Sequence, residues 1–271
     1  MDYRRVDPFS IENIKRCITE LNERRYLLKQ LVAQQLILRY RRTSLGYLWT
    51  LVNPLVMMTI MAVVFSTLFK ADLKTFCIFL FTGMIPWNLF NAVAGQSGLA
   101  FISNEGLIKK IYVPKSVFPL SIVLALVVDS VLAFVALFII ILFLGVTITS
   151  AIAFLPIAYA LLFLFSLGVA FVVSVATVYF RDLQYVMSIA LQALFFLTPV
   201  LYKPESLKGK VAFLMELNPV APFIELFRAP LYRGEIPDTG VIVLASVLSV
   251  VSVLVGGLVL LKQENKLVFR L

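Results

Sequence analysis

The chain has 271 residues, of which 61% are hydrophobic, 24 are basic, 15 acidic and none histidine. With a mean hydropathy of +0.97, against roughly 45–50% apolar residues in a soluble domain, the composition excludes an ordinary soluble fold and requires a polytopic membrane protein. The net charge of +9 is accounted for by loop orientation and contact with membrane lipid, not by nucleic acid, and the lack of histidine removes the usual metal ligand and the usual general base near neutral pH.

Asp7-Pro8 predicts a helix start, with Asp at the cap and Pro at the first helical position. Ile11, Ile14, Ile18 and Leu21 then recur at helical spacing between charges. A second amphipathic run from Arg25 to Arg39 carries Leu27, Leu28, Leu31, Val32 and Leu38. Both runs are too charged to span. Residues 1–44 read either as amphipathic helices on the cytoplasmic membrane surface or as a small soluble hairpin; the direct run into the first span favours the surface. The opening MDYRRVDPFSIENIKR has no apolar h-region, so no cleavable signal peptide is expected. Cys17 and Cys77 are expected on opposite membrane sides, which argues against a disulfide between them.

The membrane domain is expected over 45–271. Arg39, Arg41 and Arg42 precede a first span from about Leu45 to Phe69, which contains Pro54. These arginines have two readings: positive-inside anchors, or partners for a lipid phosphate, which arginine pairs bidentately. A second span, about Thr75 to Phe101, is less oily, with Pro86, Trp87, Asn88, Asn91, Gln96 and Ser97; its polar groups read equally as pore lining or as contacts between helices. The loop 101–118 is the most charged internal segment. Ser103 is placed to cap a short helix that runs to about Tyr112 and is ended by Val113-Pro114.

A third span follows from about Pro119 to Leu144, with Asp129 as its single charge, more readily a structural polar contact than a functional acid. The fourth runs from Ala151 to Tyr179, the Arg181-Asp182 turn follows, and the fifth runs from Tyr185 to Leu201. Between Tyr202 and Asp238 lie two short amphipathic runs, Ser206 to Met215 and Pro219 to Tyr232, broken at Asn218-Pro219. The second carries Val220, Phe223, Ile224, Phe227 and Leu231 at spacings of three and four. Fourteen residues reach only ~21 Å as a helix, too short to span. A re-entrant pair, which must pack in protein at membrane depth, is preferred to two helices lying flat on the outer surface. Gly240 to Leu261 is the sixth span, and KQENKLVFRL a short tail. The expected class is thus an all-α membrane protein: six transmembrane helices, an N-terminal interface helix and a re-entrant pair before the last span. Internal segments hold seventeen Lys/Arg and external ones seven, Arg228 and Arg233 included, which predicts that both termini are cytoplasmic.

The chain lacks the GxxxxGK[ST] loop that holds nucleotide phosphates, a zinc-type Cys/His cluster and an array of acids in the spans for a proton relay. Such a protein is a channel, a scaffold or the membrane half of a pump driven by another subunit. Four stretches, YRRTSLGYLWTLVNPL, SNEGLIKKIYVPKSVFPL, FRDLQYVMSIALQALFFLTPVLY and NPVAPFIELFRAPLYRGEIP, together resemble the permease subunit of ATP-binding-cassette exporters of polysaccharides. The resemblance runs from about residue 10 to 265.

The resemblance implies a permease of the bacterial inner membrane that exports a lipid-linked polysaccharide such as O-antigen, capsule or teichoic acid. It implies a homodimer joined to two copies of a separate nucleotide-binding ATPase, which would bind ATP and Mg; no cofactor is expected on this chain. Ser103, Asn104, Glu105, Lys109 and Lys110 resemble the coupling helix that docks on the ATPase, with Arg181 and Asp182 as a second contact. Residues 206–232 resemble external gate helices, with Val220, Phe223 and Phe227 on the gate. The polymer would pass aromatic rings, because sugar C–H faces suit flat apolar surfaces with polar edges. Trp87, Phe90, Phe195, Phe196 and Tyr202 are the candidates, and ordinary core packing or interface anchoring is the competing reading for each. Alternatives for the whole chain are a permease for drugs or small lipids, a membrane-embedded lipid-modifying enzyme, or a passive channel.

Overall fold

A chain this apolar must satisfy its backbone polar groups within each segment, which helices do. The computed structural model describes residues 19, 23–39, 46–111, 113–143, 149–203 and 209–271, and every element among them is helical. In chain order these are α1 (Arg25–Arg39), α2 (Trp49–Leu68), α3 (Leu73–Gln96), α4 (Glu105–Lys110), α5 (Val117–Phe143), α6 (Leu155–Tyr179), α7 (Leu183–Leu197), α8 (Lys210–Glu216), α9 (Ala221–Arg228) and α10 (Thr239–Arg270). The expected helix at Asp7-Pro8, the first amphipathic run, Cys17, Arg41, Arg42, Tyr112 and Ser206 lie outside the described residues.

Among the described residues five helices, α2, α3, α5, α6 and α10, are long and apolar enough to cross a bilayer. The element expected as the fifth span differs. Its helix, α7, has 15 residues, about 22 Å, and stops at Leu197 rather than Leu201. Thr198-Pro199 explains the stop: the residue before a proline is driven out of the helical region, and Thr198 is extended. The chain then continues as a buried turn over Thr198–Leu201.

The spans are unequal. Most of α3 and α6 is buried inside the chain, whereas α2, α5 and α10 expose most of their lengths. Val128, Val131, Val135, Ile139 and Leu142 form the outer stripe of α5, and Val243, Val247, Val250, Val251 and Leu254 that of α10. Exposed aliphatic stripes at helical spacing are what a lipid-facing surface requires. Several hydroxyls inside the spans donate to their own helices: Thr82 to the Phe79 carbonyl, Ser97 to Val93 and Thr177 to Val173. Two on α10 reach across to α6. Ser249 donates to the Leu161 carbonyl and Ser252 to Phe165, both at 2.8 Å, and a Cβ on Gly168 would lie 2.2 Å from the Ser252 backbone. Small residues let α6 and α10 meet backbone to backbone.

Local chemistry fixes the ends. Asp72 caps α3 by accepting from the Thr75 N–H and hydroxyl, both at 2.9 Å, and Lys70 takes a positive φ of 51° in the turn before it. Asp238 caps α10 through the Gly240 N–H. The helix expected as the sixth span, α10, extends past the expected Leu261 to Arg270, so the residues read as a tail are helix. α1 lies against α5, with Leu31 buried. Cys77 is a free thiol in α3.

Candidate functional site

Both loops expected to face a partner lie at one end of the bundle, here the Arg181 end. The helix expected to dock on the partner is shorter than expected and starts later. Ser103 sits in a 3-10 turn (Ile102–Asn104) and α4 covers Glu105–Lys110. The residue preceding α4 is Asn104, whose side chain makes no cap; its amide donates back to the Ala100 carbonyl at 2.8 Å. Ile108 is buried and anchors the helix, while Ser103, Gly106, Lys109 and Lys110 face outward. Glu105 and Lys109 pair at 2.6 Å. That hydrogen bond and charge, with a smaller contribution from Arg181, hold the Glu105 carboxyl below its ordinary range. A Cβ on Gly98, ahead of α4, would stand 2.7 Å from the Thr177 hydroxyl and 3.5 Å from the Gln184 side chain, so the exposed Arg181-Asp182 turn lies at the same end as α4 although far from it in the chain.

The last turns of α10 brace this face. Tyr179, at the end of α6, donates its hydroxyl to Gln263 at 2.8 Å, and the Arg270 guanidinium lies 5.3 Å from the centre of the Tyr179 ring. On the other side Glu264 accepts from the Lys115 backbone N–H at 3.3 Å. Lys115 is buried, its ammonium donating to the Val113 carbonyl, and desolvation lowers its pKa against the opposing pull of Glu264. Leu267 is fully buried. None of these positions was singled out from the sequence. The signal was present: Leu260, Gln263, Glu264 and Leu267 share a helical face, and neither Gly nor Pro follows Gly257 to end the helix.

Four of the five aromatic candidates stand in one run. Phe196 meets Phe195 at 5.6 Å between ring centres, Phe195 meets Trp87 at 5.4 Å, and Trp87 meets Phe90 at 6.2 Å. Phe90 then stacks on Phe165 at 5.5 Å, and Phe165 on Phe223 at 4.6 Å. Tyr202 joins the outer end, donating its hydroxyl to the Phe196 carbonyl at 2.8 Å. Phe196 is 61% exposed, but Trp87 and Phe90 are 4% and 5% exposed. The run therefore starts at the surface of the chain and ends in its core. Phe165 was missed because one phenylalanine among 23 carries no signal of its own.

Of the two runs expected as a re-entrant pair, the second packs inside the chain and the first does not. Phe223 packs on Phe165, ten residues into α6 and so ~15 Å deep, while Phe227 packs at 4.8 Å on Tyr159, nearer the end of α6. The start of α9 is its deep end. Val220, Phe223 and Phe227 are fully buried within the chain. A π-helical turn (Ala229–Arg233) follows, closed by Gly234 at a φ of 72°, with the Gly234 carbonyl accepting from Thr149. α8, by contrast, exposes Phe213 and Leu214, and Leu217 directly after it is exposed as well.

One residue counted as an external loop charge is misplaced in that count. Arg228 is 3% exposed. Its guanidinium lies 3.9 Å from the centre of the Phe79 ring and donates to the Val200 carbonyl at 3.3 Å. Gly83 provides the space: a Cβ there would stand 2.7 Å from Nη2. Of the arginines before the first span, Arg39 closes α1. Asp129, in α5, is half-buried. No group of three or more Cys, Asp or Glu is gathered as a metal site among the described residues.

Residues 26–232 match the family described as ABC-2 type transporter. The chain is 29% identical to the O-antigen export system permease protein RfbA of Myxococcus xanthus, over 87% of this chain and 92% of that protein. It is 30% identical to an RfbA permease of Klebsiella pneumoniae, over 77% and 81%. It is 26% identical to the polysialic acid transport protein KpsM of Escherichia coli, over 74% and 79%.

Proposed function

Since the chain belongs to the ABC-2 type transporter family, we infer that it is the membrane-spanning permease of an ATP-driven polysaccharide exporter. Relatives named for O-antigen export and polysialic acid transport, matched over most of their length, support that substrate class. The chain is a multi-pass transporter subunit, and ATP hydrolysis belongs to a separate ATPase. The finer reading is that cargo is lipid-linked, that two copies of this chain pair with two ATPases in the bacterial inner membrane, and that ATP and Mg bind on the partner. Both termini are then cytoplasmic, which puts the Arg181 end inside and the Asp72 end outside.

One observation carries the mechanism: α4 and the Arg181-Asp182 turn lie exposed at the same end of the bundle. Ser103, Asn104, Glu105, Lys109, Lys110, Arg181 and Asp182 are the proposed ATPase contact. Burial of Ile108, with the α10 brace behind it, makes a firm surface to push on. Phe195, Phe196 and Tyr202 are proposed to border the polymer, with Trp87 and Phe90 behind them. The buried α9 carries Val220, Phe223 and Phe227 as the external gate. Arg39, Arg41 and Arg42 are proposed to meet the lipid phosphate, a bidentate pairing that arginine favours.

A deletion strain tests the whole reading. Lipid-linked glycan should accumulate inside and disappear from the surface, and the wild-type chain should restore it. Normal surface glycan in the deletion strain would overturn the assignment.

A further inference from the structure

The re-entrant helix is not held by apolar packing alone. Two polar contacts tie it to one short stretch, Thr198–Val200, that directly continues α7. At its deep end the Asn218 amide donates to the Thr198 hydroxyl at 2.7 Å, and that hydroxyl donates to the Leu194 carbonyl, in the last turn of α7, at 2.6 Å. The Asn218 carbonyl oxygen accepts from the Val220 N–H at 2.9 Å, so the amide is fixed on both sides. Near the other end of α9, Arg228 donates to the Val200 carbonyl. Asn218, Thr198 and Arg228 are all buried.

α7 itself is held differently. Of its fifteen residues only Leu191 is buried. It begins directly after the Arg181-Asp182 turn, and its exposed side chains include Tyr185, Ile189 and Phe196. An apolar helix gains little by choosing protein over lipid as its neighbour, because lipid tails are equally apolar. A buried polar contact, in contrast, is costly to break without a substitute partner. Within its own chain the helix is therefore loosely embedded along its length and firmly attached at its far end.

We propose that Thr198, Asn218 and Arg228 are positioning residues that fasten the re-entrant helix to α7, so that displacement of the Arg181-Asp182 turn is carried along α7 to the opposite end of the bundle. The proposal rests on reading that turn as an ATPase contact.

The test uses the full permease–ATPase complex in proteoliposomes, with Cys17 and Cys77 replaced and an environment-sensitive fluorophore on Ile189→Cys or Leu217→Cys. In the parent both probes should respond to ATP with vanadate. In Thr198→Val, close in shape but without the hydroxyl, the probe at 189 should still respond and the probe at 217 should not. ATP turnover should persist while surface glycan in a complemented deletion strain falls about tenfold, the scale set by stranding one buried hydrogen-bond partner. Thr198→Ser should restore both. A response at 217 that survives Thr198→Val overturns the proposal, as does a parent in which 217 responds without 189 or neither responds. Should Thr198→Val fail to assemble, Arg228→Lys is held to the same outcomes. Copurification of the ATPase with Arg181→Glu tests the underlying reading separately: persistence there removes the ATPase contact, while the two probes still judge the tie.

Discussion

Three glycines meet three different surroundings, and a methyl group would report each. At Gly168 the added carbon would fall on Ser252 backbone atoms of another helix, which cannot turn aside. At Gly83 it would meet the tip of Arg228, a flexible side chain that can shift at the cost of its contacts with Phe79 and Val200. At Gly106, on the outward face of α4, it would meet nothing within 4 Å. Gly168→Ala should therefore destabilise by at least ~3 kcal/mol through overpacking, Gly83→Ala by about 1 kcal/mol, and Gly106→Ala should stabilise by ~0.5 kcal/mol through helix propensity. Thermal unfolding in detergent should rank the variants in that order. None of this was legible in the sequence, where all three are single glycines in helical segments. What separates them is the identity of a neighbour more than 80 residues away in two of the cases. Arg228 shows the same limit: a charge near loop residues reads as exposed until Gly83, Phe79 and Val200 converge on it.

At the scale of elements, periodicity revealed the spans, and it also revealed the break at Asn218-Pro219, because proline chemistry acts locally. It did not reveal that α7 stops short or that α10 continues beyond the membrane. The charges of KQENKLVFRL gave the stretch the look of a tail, yet Leu260 and Leu267 stay on one buried face. Gln263 and Glu264 between them hold both loops at the Arg181 end. Leu267→Ala should loosen that end by ~2 kcal/mol or more, in line with large-to-small changes at buried sites. Copurification of the ATPase should weaken while membrane insertion, judged by protease protection of the 70–74 loop, stays as in the parent. Unaltered copurification would show that the α4 face holds its shape without the brace.

For the whole molecule, the division between central α3 and α6 and peripheral α2, α5 and α10 sorts substitutions by what surrounds them. Val251, on the outer stripe of α10 and 50% exposed, should tolerate Leu, whereas Val251→Lys should oppose insertion by about 3 kcal/mol and reduce the amount of protein in the membrane. The aromatic run divides in the same way. Trp87 and Phe90 lie inside the chain, and only the outer end at Phe195, Phe196 and Tyr202 approaches the surface. A polymer passing this chain would therefore touch the outer rings. Trp87→Ala should lower stability by ~3 kcal/mol, with surface glycan falling only in proportion to the folded protein that remains. Phe196→Ala removes a ring with few contacts inside the chain, so folding should be near normal and surface glycan should fall several-fold at equal protein level, since a flat apolar face for sugar C–H groups is lost. Thermal unfolding and surface glycan, measured side by side on the two variants, separate packing from passage. Equal export per folded molecule in both would remove the outer rings from the path.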